Sequence, residues 1–275
     1  MVSAKTPRLA SGGEEMRSTL KDERKTALLS LRAVYKRFGG LEAVKDVSFD
    51  VEKGKVHGLI GPNGAGKTTV FNLISGILPV TEGSMRFSGQ ELTYLSPNRI
   101  NQLGIARTFQ NIRLFPTMTV LESVLVAQNV RTSSWDMVVP FYLRKQKEMR
   151  KKAEDLLTVF HLSDKRDERC SSLPYADQRR LEMARALATE PQLLLLDEPT
   201  AGMTAKELEE FVERIGVLVG QELTILLIEH NMNVAMGCCD RLTVLNYGEN
   251  IAEGTPEEVQ SNPTVIEAYL GSPEE

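Results

Sequence analysis

The sequence predicts an α/β fold, a wound and largely parallel sheet with a helical lobe inserted into it. Three observations lead there. Residues 61–69, Gly-Pro-Asn-Gly-Ala-Gly-Lys-Thr-Thr, follow an apolar run and open an apolar-faced helix, the strand–loop–helix order of a phosphate-binding loop. The later apolar runs 192–196, 224–228 and 241–245 are separated by stretches long enough for helices, as parallel strands require. Residues 117–172 carry helical periodicity without a strand pattern, which marks the insertion.

Each element has a local reason. Residues 1–26 mix Ser, Gly, Lys and Glu with few large apolar side chains, the composition of a disordered tail, and stand outside the expected fold. Short apolar strands are expected at 28–35, 47–51, 56–60 and 84–87, and their placement on both sides of the loop suggests a mixed sheet. Ser96-Pro97 reads as an N-cap with proline in the first helical position, and Gly104 as the stop before a strand at 105–109. Thr204 with Glu207, and Thr255-Pro256 with Glu258, pair a hydroxyl cap with a carboxylate three residues on, the capping box that opens a helix.

The 275 residues suffice for one large domain or two lobes. A net charge of -4 offers no basic excess for a nucleic-acid backbone. Cys170, Cys238 and Cys239 lack C-x-x-C spacing and read as reduced thiols in a cytosolic setting. With no secretory signal pattern, and no apolar run near the ~18 residues of a spanning helix, the chain is expected to be neither secreted nor integral to a membrane. The basic run 144–152 reads first as a solvated helix face; a position beside anionic lipid headgroups is the alternative.

The chemistry starts at the loop. Gly61, Pro62, Asn63, Gly64, Ala65, Gly66, Lys67, Thr68 and Thr69 form it; the glycines turn backbone N–H groups onto phosphates, Lys67 reaches the β and γ oxygens, and the Thr68 hydroxyl is placed to ligate Mg²⁺. The loop calls for ATP or GTP. Leu193-Leu-Leu-Leu-Asp197-Glu198 is a buried apolar strand ending in two carboxylates, at the carboxyl edge where open α/β sheets bind ligands. Asp197 is then placed to hold Mg²⁺ through water, and Glu198 to orient or deprotonate the attacking water. His230 follows the strand at 224–228 and reaches the same edge, where an imidazole can contact the γ-phosphate or the water. His57 and His161 lack that placement.

This ordered set resembles the ATP-binding cassette (ABC) ATPases, over roughly residues 28–271. The resemblance implies a P-loop NTPase core with a mixed or parallel sheet, an antiparallel β subdomain and the helical insertion. It also implies that Phe38 in Arg-Phe-Gly-Gly stacks on adenine, with Tyr35 as the competing aromatic. Gln110 in Arg-Thr-Phe-Gln matches the glutamine that touches Mg²⁺ and senses the membrane partner. Three further segments, from Arg107, from Leu173 and from Asn262, resemble the LivG-type ATP-binding subunits of branched-chain amino acid importers. ATPases for urea, other amides or lipids are weaker fits. A soluble ribosome- or DNA-associated cassette ATPase fits poorly, since the chain has neither a second phosphate loop nor sustained heptads.

The resemblance implies two ATPase subunits sandwiching two ATP molecules at the cytoplasmic face of a bacterial membrane, with two permease subunits, an external solute-binding protein and no nucleic acid. The signature segment departs from the family pattern. Leu173-Pro-Tyr-Ala-Asp177 stands where Leu-Ser-Gly-Gly-Gln is usual, so the serine is gone and Pro174 offers no N–H. The D-loop ends in Thr204 instead of Asn or Asp. A different second subunit with a complete signature is therefore expected, giving an asymmetric dimer.

Overall fold

The computed structural model describes residues 27–131 and 139–270. The expected tails 1–26 and 272–275 lie outside the described residues. Three five-residue strands organise the rest: β3 (Val56–Ile60), β7 (Leu193–Asp197) and β8 (Thr224–Ile228), each buried at every position. Side chains of one strand alternate between faces, so a run that is apolar throughout is stable only where both faces are covered.

They belong to a six-stranded sheet with β6 (Ile105–Arg107), β9 (Arg241–Asn246) and β10 (Glu249–Gly254), in the order β10-β9-β3-β8-β7-β6. All pairs are parallel except β9–β10. One face, with Leu194, Leu196, Ile225 and Leu227, packs into a core shared with α3 (Val120–Gln128), α4 (Val139–Val159), α5 (Tyr175–Ala188) and α6 (Ala205–Gly220). The other face, with Leu193, Leu195, Leu226 and Ile228, packs on α1 (Lys67–Ile74) and on a second sheet. That second sheet is antiparallel, in the order β2-β1-β4-β5, from β1 (Ala27–Phe38), β2 (Leu41–Glu52), β4 (Glu82–Phe87) and β5 (Gln90–Glu91).

The strands flanking the loop therefore do not share its sheet: β1, β2 and β4 form a sheet of their own, and only β3 joins the six-stranded one. Strand β2 is also longer than the apolar run 47–51, because Lys45, Ser48 and Asp50 alternate with buried Val44, Val47 and Phe49 on a half-exposed sheet. The expected strand 105–109 ends at Arg107, as the chain turns toward α5. Helix α2 (Pro97–Leu103) does start after Ser96 and stop at Gly104, whose φ is 108°. Both capping boxes are present, at Thr204 and at Thr255, the latter opening the helix Pro256–Gln260, and a third stands at Thr119. Basic residues of 144–152 pair with acids along the exposed helix: Arg144 with Glu148, Arg150 with Glu154, and Lys152 with Glu190.

His57 lies inside this fold. It is 2 % exposed, its Nε2 is 2.8 Å from Thr243 Oγ1, and its ring stacks on Phe49 at 5.3 Å. Burial, with help from the charge of Arg241, pushes its pKa down to about 3. The unfolded chain takes up a proton near its ordinary value of 6.5 while the folded chain stays neutral, so stability falls as pH drops below that value. We expect the native protein to lose about 1.4 kcal/mol more than His57→Gln between about pH 7.5 and about pH 5.5. Urea unfolding of both proteins at the two pH values checks it.

Candidate active site

Parallel register sets the position of the site. Leu59 and Asp197 both pair with Ile228, so the residues after β3, β7 and β8 leave the sheet from one edge. Glu198 N also donates to Ile228 O at 3.0 Å, across that edge.

The phosphate loop fills the space after β3. Its backbone is tightly held: Gly61 has φ 147°, and a Cβ there would sit 2.0 Å from Leu245 O. Gly66, at φ 99°, is equally restricted, with Ala43 O 2.6 Å from where its Cβ would be. Lys67 is buried, and its ammonium donates to Gly61 O at 2.7 Å and Pro62 O at 2.8 Å. Burial lowers the Lys67 pKa, against the pull of Glu198 and Asp197. Helix α1 begins at Lys67, so its positive end points at the same place.

A cavity of about 580 Å³ opens above the loop, lined by Asn63, Gly64, Ala65, Gly66, Lys67, Thr68, Thr69, Glu198 and His230, and on its other side by residues 40–43, Lys45 and Tyr247. Glu198 is the junction of the site. Its Oε1 is 2.5 Å from His230 Nε2, and its Oε2 accepts from Gln110 Nε2 at 2.9 Å. Its backbone sits at φ 49°, a left-handed conformation that costs on the order of 1–3 kcal/mol outside glycine. Phe38 does not line the cavity. It is 46 % exposed at the end of β1, opposite Leu41, with the Lys36 ammonium 4.9 Å from its ring centre.

Asp197 lies behind the cavity, 2 % exposed. Its Oδ2 accepts from Arg107 at 2.8 Å, while the buried Oδ1 has no protein partner. Burial pushes its carboxyl above the ordinary range, and Arg107 pulls it back. An orphaned carboxylate oxygen, the exposed Thr68 hydroxyl and the Gln110 amide are hard oxygen donors of the kind Mg²⁺ takes alongside water and phosphate.

Two residues of this site escaped sequence reasoning. The Arg107 side chain, 7% exposed, bridges Asn72, Ser75 and Asp197 and makes cation–π contacts with Phe71 and Phe109. Glu229 is buried, accepts from the Thr200 hydroxyl at 2.6 Å, and also accepts from the His230 amide. A charged residue inside an apolar strand context was the available signal in both.

The segment around Gln110 is tied to α5. Arg179 donates to Phe109 O and Gln110 O at 3.0 and 2.7 Å, and Phe109 N donates to Glu182. Helix α5 itself opens at Pro174 without a side-chain cap. Tyr175 projects there, 56 % exposed, with its hydroxyl bonded to Arg179, and Asp177 is held by Lys165 and Arg180.

The family described as ABC transporter matches residues 44–201, and the family described as branched-chain amino acid ATP-binding cassette transporter matches residues 249–275. The chain is 44% identical over 249 residues to the high-affinity branched-chain amino acid transport ATP-binding protein LivG of Escherichia coli (strain K12), covering 89% of this chain and 98% of that one. Among solved structures it is similar to the ADP conformation of the ATP-binding cassette MJ1267 of an ABC transporter, with TM-score 0.78, 32% identity, and 90% and 99% of the two chains covered. It is also similar to the dimeric post-hydrolysis state of the cassette MJ0796 bound to ADP and Pi, with TM-score 0.72, 26% identity, and 83% and 98% covered.

Arg107 gives this site a stability test. Its side chain and that of Asp197 are 7% and 3% exposed, and removing one member of a buried pair leaves an uncompensated charge, typically costing about 3–5 kcal/mol. Arg107→Met is expected to lower unfolding stability by that amount, and Arg107→Met with Asp197→Leu to recover most of it. Urea denaturation of the single and double variants reads the difference.

Proposed function

The chain belongs to the ABC transporter family of ATP-binding cassettes, and from that premise we propose that it energises uptake of branched-chain amino acids through separate membrane permease subunits. It is an ATPase that binds ATP and converts ATP and water to ADP and phosphate. The observation that carries the reading is the contact of Glu198 with both His230 and Gln110 over a cavity floored by the phosphate loop. The solute rests on the likeness to LivG and on the match over residues 249–275.

The chemistry follows from these positions. Loop N–H groups and the Lys67 ammonium receive the β- and γ-phosphates, with Lys67 exchanging its two carbonyl partners for phosphate oxygens. A water in line with the γ-phosphorus loses its proton to the Glu198 carboxylate as its oxygen bonds phosphorus and the bond to the ADP oxygen breaks. His230 and Gln110 each engage one Glu198 oxygen, which fixes the carboxylate plane and leaves a second lone pair on each oxygen for the water. In this reading His230 also contacts the γ-phosphate. Thr68, Gln110 and, through water, Asp197 would hold Mg²⁺, which when bound neutralises charge on the β and γ oxygens.

Cassettes of this family pair and act on membrane subunits. No helix of the described residues is long and apolar enough to cross a membrane, which suits a peripheral subunit at the cytoplasmic face, next to two permeases and, across the membrane, a solute-binding protein. The cassette in this reading spans residues 27–271, with the helical lobe at about 117–172. The pairing is with a different ATPase subunit. Pro174 brings no N–H to the start of α5, and Tyr175 stands out where a glycine is usual; the loss of one oxyanion donor in comparable sites is worth ~10²- to 10³-fold in rate. The more competent site then combines this chain's phosphate loop with the other subunit's signature.

Glu198→Gln is expected to lower ATP turnover of the assembled transporter by ~10²- to 10⁴-fold while ATP still binds. The equivalent change in the second ATPase subunit is expected to cost less. Turnover measured with each variant decides: equal losses would sink the asymmetry, and no loss with Glu198→Gln would remove Glu198 as the base.

A further inference from the structure

We propose that Tyr247 is a base-recognition residue, whose ring forms part of the wall that receives the aromatic base of the nucleotide. The inference rests on the reading of the cavity as an ATP site and adds a base-contacting residue to it.

Tyr247 occupies the tip of the β9–β10 hairpin, where Asn246 pairs with Glu249 and the two central residues have φ 46° and 83°. Two-residue turns of this kind favour Asn, Asp or Gly in both central positions. Tyr247 is the bulkiest non-glycine side chain at positive φ among the described residues, and a bulky residue in that region is a conformational outlier. Packing within the chain does not explain it, because Tyr247 is 80 % exposed. Such outliers persist where the surroundings hold them, and they gather at ligand sites.

The surroundings here are the phosphate loop. Gly248 N donates to Ala65 O at 3.1 Å, and Gly248 O accepts from Lys45 N at 2.7 Å. A Cβ on Gly248 would meet Ala43 O at 2.8 Å. The hairpin tip is thus fastened to the loop and to β2, and it carries Tyr247 to the rim of the cavity that holds Lys67 and Glu198. An exposed phenol ring at that rim offers a π face, which stacks on a base. Phe38 pairs with Leu41, which lines the cavity, yet Phe38 itself lies outside the lining. Tyr247, unlike Phe38, is part of the lining itself, so the base contact does not depend on Phe38 alone.

Calorimetric titration of the full-length chain with ADP and, separately, with tripolyphosphate, both in the presence of Mg²⁺, tests this. Tyr247→Ala is expected to weaken ADP binding roughly tenfold or more and to leave tripolyphosphate binding unchanged, while Tyr247→Phe keeps ADP affinity. Tyr247→Asn suits the turn better, so it should raise the melting temperature while weakening ADP as Ala does; a purely structural role would not split stability from affinity in this way. Unchanged ADP binding in Tyr247→Ala and Tyr247→Asn overturns the proposal, as does an equal loss for ADP and tripolyphosphate. A native chain that binds neither compound overturns the ATP-site reading itself, and this inference with it.

Discussion

The structure depends on the parallel register of β3, β7 and β8. These strands are buried at every position, so their backbone groups must pair with each other and their side chains must meet apolar partners on both faces. No single-residue slip is tolerated, because it would turn each strand's side chains to the wrong core. With the register fixed, Gly61, Glu198 and His230 emerge side by side. The site is thus a consequence of sheet pairing, and its residues come from strand ends about 30 to 170 residues apart in sequence.

Charges at the edge of so dry a sheet need partners, and each has one. Arg107 answers Asp197, the Thr200 hydroxyl answers Glu229, and the loop carbonyls answer Lys67. These contacts are preorganisation: the groups that would meet phosphate and water are already oriented before a nucleotide arrives. Glu198 is held in its left-handed conformation by the bond from its own amide to β8 and by His230 and Gln110. The Gln110 segment is bonded in turn to Arg179 and Glu182 of α5. The helix that starts at Pro174 and Tyr175 is therefore in direct contact with the segment that touches Glu198.

What the sequence made legible was what local patterns specify. The glycines of the phosphate loop, the apolar runs of β7 and β8 with acids or histidine after them, and the capping boxes at Thr204 and Thr255 are each readable within a few residues. Arg107 and Glu229 were not legible, because their partners Asp197 and Thr200 are 90 and 29 residues away. Strand β10 carries two apolar residues in Glu-Asn-Ile-Ala-Glu-Gly and owes its existence to pairing with β9. The separate antiparallel sheet was expected from the family resemblance and not from local pattern: short strands before and after the loop look alike in sequence, and only long-range pairing assigns them to different sheets. Tyr247 reads in sequence as one more residue near Gly248; its position on the cavity rim comes from the hydrogen bonds that fasten the hairpin to the loop.

In the proposed assembly this chain's loop and carboxylates form half of a site that a second ATPase subunit completes. The most direct measurement is ATP turnover per chain as the purified protein is diluted, alone and with the second ATPase subunit of its transporter present. The chain alone is expected to bind ATP yet turn it over slowly, with turnover per chain falling on dilution and rising when the second subunit is added. Full turnover by the isolated chain, independent of its concentration, would contradict it.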